Sequence, residues 1–149
     1  MPWPFDLAGP TGITGELGTF ENLAEPTGDI VMTDDQLSQY SAELLHDYPG
    51  AHIKIADDKA EMVAEIDGFR AIAVIERSQP HFHSKTKEIY NVLRGTLHVA
   101  CGGRGYALKP GESITIEPGN IHFARGVGTP AWLEVLCDPA WTIEDYLLL

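Results

Sequence analysis

Cysteine is scarce in this chain: Cys101 and Cys137 are the only two among 149 residues, and neither belongs to a CxxC pair. That excludes a disulfide-stapled secreted scaffold, and both thiols are expected to be small buried side chains rather than bridge partners. Basic residues are sparse too, ten Lys and Arg against 22 Asp and Glu, for a net charge of −12. Lys54 and Lys59 are the only basic side chains in the first sixty residues. So acidic a surface lacks the cationic footprint that nucleic acid or anionic lipid requires. No apolar run approaches the ~20 residues of a membrane-spanning helix. The opening Met1-Pro-Trp-Pro-Phe-Asp6 has neither the basic region nor the apolar core of a secretory signal. A cytoplasmic protein is expected, with neither nucleic acid nor membrane as a partner.

What is present fits one domain: 44% hydrophobic and 21% charged residues is the composition of an ordinary globule. Residues 1–29 are rich in Gly, Pro and Thr without a helical or strand period, and an extended arm is expected over 1–32. Thr33 with Gln36 three residues on reads as a capping box, and Asp34 and Asp35 suit the positive end of a helix dipole. Leu37, Tyr40, Leu44 and Tyr48 recur at helical spacing until Pro49-Gly50, predicting a helix over 34–48 that packs on the body of the domain.

From residue 51 the pattern is that of strands. Met62, Ala64 and Ile66 alternate with Glu61, Val63 and Glu65 ahead of a turn at Asp67-Gly68, and Phe69 to Ile75 reads as the return strand. Further short strands are expected at 88–94, 96–100, 105–108, 112–116, 121–125 and 131–137, separated by Gly- and Pro-rich turns. Many short strands at this spacing mean an all-β sandwich or barrel, here over 51–137. The tail over 138–149 is expected to start a short closing helix capped by Thr142.

Three candidate metal ligands fall within eight residues, His81-Phe-His83-Ser-Lys-Thr-Lys-Glu88. Alternation along a strand puts His81 and His83 on one side and Phe82 on the other, and the next four residues let the chain return Glu88 to the same centre. His122, after the turn Pro118-Gly119-Asn120, offers a fourth ligand. Three imidazoles and a carboxylate suit one divalent Mn, Fe, Co, Ni, Cu or Zn ion.

The wider spacing strengthens this reading. His81-x-His83-x4-Glu88-x6-Gly95 resembles the first motif of the cupin superfamily, and Gly111-x7-Gly119-x2-His122 resembles the second. The chain departs from the motifs at three turn positions: Ile75 stands for an opening glycine, Glu117 for a proline (with Pro118 displaced by one), and Gly126 for a terminal asparagine. The resemblance implies a double-stranded β-helix, or jelly-roll barrel, and a metal ion held by these four side chains. It also implies a small molecule as substrate or ligand. The chemistries it suggests are isomerisation of a sugar or sugar phosphate, cleavage by Fe(II) and O2, and β-elimination as in cupin lyases with a Glu-x-Tyr step like Glu88-Ile-Tyr90. A sugar-binding cupin without catalysis is the other class it admits.

Tyr90, two residues past Glu88, is expected to face the same cavity, as a proton-transfer group or as a wall residue. His98 belongs either to the pocket or to the barrel exterior. Trp132, Glu134 and Leu136 share one face of a late strand, and Glu134 orients a metal ligand if that face is inward. Phe82, Ile121 and Phe123 oppose the ligands and are expected to be buried. Exposed sheet edges and the long arm predict a homodimer.

Overall fold

In the computed structural model, which describes residues 31–149, the helix begins at the capping box read from the sequence. Thr33 Oγ1 accepts from the Gln36 N–H at 3.1 Å, and Gln36 Oε1 accepts from the Thr33 N–H at 2.8 Å. The expected arm lies outside the described residues except for Val31 and Met32, and Met32 is buried. After α1 (Asp34–Asp47) come β1 (His52–Ile55), β2 (Glu61–Glu65), β3 (Arg70–Ile75), β4 (His81–Phe82), β5 (Lys87–Arg94) and β6 (Leu97–Cys101). The chain continues through β7 (Arg104–Leu108), β8 (Ser113–Ile116), β9 (His122–Gly126), β10 (Ala131–Asp138), a 3-10 turn (Ile143–Asp145) and β11 (Leu147–Leu148).

Two antiparallel sheets result, one of order β1-β2-β3-β10-β5-β8 and the other of order β11-β4-β9-β6-β7. This is the two-sheet all-β architecture expected from the strand pattern, in the jelly-roll form that the resemblance implied. The two faces of the six-stranded sheet carry different cores, as period-2 alternation requires. Met62, Ala64, Ile72, Val74 and Trp132 point outward and pack with Met32, Leu37 and Leu44 beneath α1. Ala73, Ile75, Tyr90, Val92 and Leu133 point inward to a core completed by Leu97, Val99, Tyr106 and Leu108. Leu44 is fully enclosed. Leu44→Ala should therefore lower unfolding free energy by about 2–5 kcal/mol, as buried leucine truncations do, measured by denaturant titration.

Two expectations change. The tail does not start a regular helix: Thr142 makes no side-chain cap, the turn lasts three residues, and β11 then pairs with β4. Asp67-Gly68 also sits in a wider loop than a two-residue hairpin, closed by the Asp67 carboxylate accepting from the N–H groups of Phe69 (2.7 Å) and Arg70 (3.0 Å). Both cysteines are buried and free, and Phe82 packs against the inner core while Ile121 and Phe123 are buried. Among the described residues no helix is long and apolar enough to cross a membrane.

Candidate metal centre

Strand pairing assembles the site. His81 on β4 and His122 on β9 are Cα partners in the five-stranded sheet, so their rings project side by side, 4.2 Å between centroids. His83 follows β4 by one residue, and its carbonyl accepts from the Gly119 N–H at 2.7 Å. That bond ties the turn before His122 to the histidine pair. Gly119 holds a φ of +86°, a conformation that glycine adopts without strain. Glu88 arrives from the opposite sheet on β5, whose Glu88, Tyr90 and Val92 face inward. All four side chains are buried, and one ligand atom from each lies within 4.8 Å of the others.

The ring orientations are set from behind. His81 Nδ1–H donates to the Gln79 carbonyl at 2.8 Å, His83 Nδ1–H to the Asp145 carbonyl at 2.9 Å, and His122 Nδ1–H to the Asn120 carbonyl at 2.9 Å. A carbonyl can only accept, so each Nδ1 carries a proton, and in the neutral ring each Nε2 presents a lone pair. His83 Nε2 and His122 Nε2 stand 3.1 and 3.2 Å from Glu88 Oε1. Lone pairs facing a carboxylate repel unless a proton or a metal cation lies among them. Two ligands each about 2.1 Å from one ion, at right angles, stand about 3 Å apart, so the spacing fits a metal.

Burial, with His122 alongside, pushes the His81 pKa down to about 3, so this ring is neutral at ordinary pH. Burial alone would lower the His83 value and raise that of Glu88. Their mutual contact, with His122 and the Asp145 carbonyl contributing, reverses both, raising His83 and holding the Glu88 carboxyl well below the usual range.

His81, His83 and Glu88 line a cavity of about 310 Å³, the size of a small molecule. Its wall includes Glu61, Val63, Tyr90, Val135, Cys137 and Tyr146, and its rim carries Lys54, Glu65, Trp141 and the exposed Ile143. Tyr90 thus shares the cavity with Glu88. Burial first, then the charges of Glu88 and Glu61, raise its pKa well above the usual phenol value. Tyr146 stacks on the His81 ring at 4.7 Å.

Glu134 and His98 lie elsewhere. Glu134 falls on the outward face of β10 with Trp132, where its carboxylate accepts from Arg70 Nε at 2.7 Å and Asn91 Nδ2 at 3.0 Å. His98 pairs across strands with Arg125, and the same register puts Cys101 opposite His122, so His98 occupies the face away from the cavity. The alternation of β10 and the register of β6 decide both positions.

The sequence reading passed over three residues. Glu61 was one of the residues alternating with Met62 and Ala64, and its face proves to be the cavity side. Cys137 Sγ stands 3.9 Å from Glu88 Oε2. Asp145 does the most for the cluster. Its carboxylate accepts from the Ser84 hydroxyl and from the backbone N–H groups of Ser84, Lys85 and Thr86, while its carbonyl holds His83. The Ser84 hydroxyl, with the backbone donors behind it, keeps this carboxyl far below its ordinary pKa. The turn that swings Glu88 back toward His83 is thus wrapped around one side chain. Asp145→Ala keeps the carbonyl that holds His83 but deletes the carboxylate that fixes the turn before Glu88, and should weaken metal affinity by about 10–100-fold, comparable to losing an outer support of a ligand, read by competition with a chromogenic chelator. Unchanged affinity would remove Asp145 from the support of the site.

Residues 69–136 match the family model described as a cupin domain. The fold is similar to that of the Streptomyces nucleoside dehydratase Pac13, with a TM-score of 0.59 and 14% identity over 68% of this chain and 87% of that one. It is similar to KdgF from Halomonas sp., with a TM-score of 0.53 and 15% identity over 60% of this chain and 87% of that one. It is also similar to the oxalate decarboxylase of Lactobacillus farciminis, with a TM-score of 0.56 and 20% identity over 66% of this chain and 33% of that one. No curated protein matches the chain by sequence. At such identities the likeness is one of fold, and residues 69–136 carry a cupin domain.

Proposed function

We propose that this protein is a metal-dependent enzyme acting on a small polar molecule by Lewis-acid and proton-transfer chemistry, an isomerisation or an elimination. The observation that carries the reading is the trio of imidazoles, each anchored through Nδ1–H to a backbone carbonyl, whose Nε2 atoms converge with Glu88. A divalent first-row ion held by His81, His83, Glu88 and His122 would supply charge withdrawal from a coordinated oxygen. The chain itself supplies a cavity beside these ligands whose wall carries Tyr90 and Tyr146. Ionisable groups around a chelating centre suit proton transfer. Among proteins of the same fold, Pac13 is a nucleoside dehydratase and others are oxalate decarboxylases, so the scaffold hosts enzymes.

The test is metal analysis of protein purified without added metal, followed by an assay panel of aldoses and ketoses, sugar phosphates and β-substituted carboxylic acids. About one ion per chain, with turnover of a panel member that chelation abolishes, is expected. Metal without turnover across the panel would favour a ligand-binding role. Absence of any retained or acquired ion would overturn the reading.

A further inference from the structure

Four acids line the cavity, and three of them are engaged. Glu65 is held by Lys54 Nζ at 2.8 Å, Asp67 by the backbone N–H groups of Phe69 and Arg70, and Glu88 by the ring nitrogens of His83 and His122. The side chain of Glu61, on the inward side of β2, has no hydrogen bond or ion pair within the described residues. Nearby Asp58 is already held by Arg77 at 3.0 Å. A carboxylate on the cavity wall with no protein donor is left free to meet a molecule bound there.

We propose that Glu61 is the group that exchanges a proton with a molecule seated against the His81, His83, Glu88 and His122 cluster. This rests on the metal-dependent reading above and assigns its proton-transfer residue. A C–H or O–H bond beside the chelated oxygen breaks, its electron pair stays on the substrate atom, and the proton passes to a Glu61 carboxylate oxygen. Glu61 then returns that proton to the product or to the departing oxygen, so no oxidant or second reactant is needed. Tyr90 and Tyr146, on the same wall, donate hydrogen bonds to the oxygens involved.

The surroundings are consistent with this role. Burial, then the negative charges of Glu88 and Asp58, raise the Glu61 pKa to about 7, where an acid–base group serves both directions at neutral pH. The other groups that face it are the phenols Tyr90 and Tyr146, with Lys54 at the rim.

The experiment follows the carboxyl carbons of protein labelled with ¹³C-glutamate, titrated from about pH 5 to pH 9 as the metal-free chain and with Zn(II) bound. Ordinary glutamates titrate near 4.3 and have nearly finished by about pH 6, and Glu76, raised by burial, is told apart by its persistence in Glu61→Gln. One resonance should titrate near neutrality in the metal-free protein. Zinc should lower its proton affinity about tenfold or more, because a dication in the same cavity favours the carboxylate. Glu61→Gln should delete that resonance while still taking up one zinc per chain. The proposal is overturned if no glutamate titrates near neutrality, if none that does responds to zinc, or if the responsive one persists in the variant. Failure of the wild type to take up zinc, by contrast, overturns the metal reading itself.

Discussion

His81→Ala and His122→Ala should each leave the purified chain without a stoichiometric metal ion, as measured by elemental analysis. Each ring sits in the wall of a buried cluster with its far nitrogen already bonded to a carbonyl, so no neighbouring side chain can swing in to replace it. The loss should exceed the 10–100-fold that removal of an outer partner costs. Chelating the wild type should also lower its melting temperature. A ligand present at a thousand times its Kd stabilises by about 4.1 kcal/mol, which for a chain of this size corresponds to roughly 8–16 °C. Full occupancy in the double variant, or a melting temperature indifferent to chelation, would contradict the site.

Tyr90→Phe should reduce turnover by about 10²–10³-fold, the usual cost of removing one hydrogen-bond donor to a reacting oxygen, with metal content and melting temperature nearly unchanged. The phenol stands on the same inward face of β5 as Glu88 and is buried in the cavity wall, its ring 6.0 Å from that of His122. Phenylalanine keeps the ring and its packing and deletes only the oxygen. Steady-state kinetics on the substrate found by the panel is the measurement. Full activity in the variant would make Tyr90 a wall residue and leave Tyr146 and Glu61 to handle the proton.

The parts of the molecule governed by short-range rules were legible in the sequence. The capping box, the amphipathic spacing of Leu37 and Leu44, and the period-2 placement of His81 against Phe82 each depend on neighbours a few residues away. Two of the three departures from the cupin motifs have a packing reason. Ile75 is buried along the cavity, and a Cβ at Gly126 would collide with the carbonyl oxygens of Thr129 and Ile75, the latter at 2.8 Å. An asparagine has no room there.

What was not legible depends on pairing between distant strands. The face taken by His98 follows from the register of β6 on β9, and that of Glu134 from β10 lying between β3 and β5. The inward side of β2 follows from α1 covering Met62 and Ala64, which hands the opposite face, with Glu61, to the cavity. Asp145 carried no local signal, because its partners lie about sixty residues upstream.

That separation bears on how the protein folds. The ligands span residues 81–122, with His81 and His122 on neighbouring strands, but the turn that places Glu88 and the ring of His83 are secured by bonds crossing 59 to 62 residues of chain. Contacts so far apart in sequence form only after the large entropic cost of closing the intervening loop has been met, which is what slows high-contact-order β proteins. Competence to hold an ion therefore belongs to the last stage of folding rather than to the early meeting of the two histidine strands. A chain in which Asp145 has not yet docked has the same imidazoles but lacks the bonds that fix the 84–86 turn and the ring of His83.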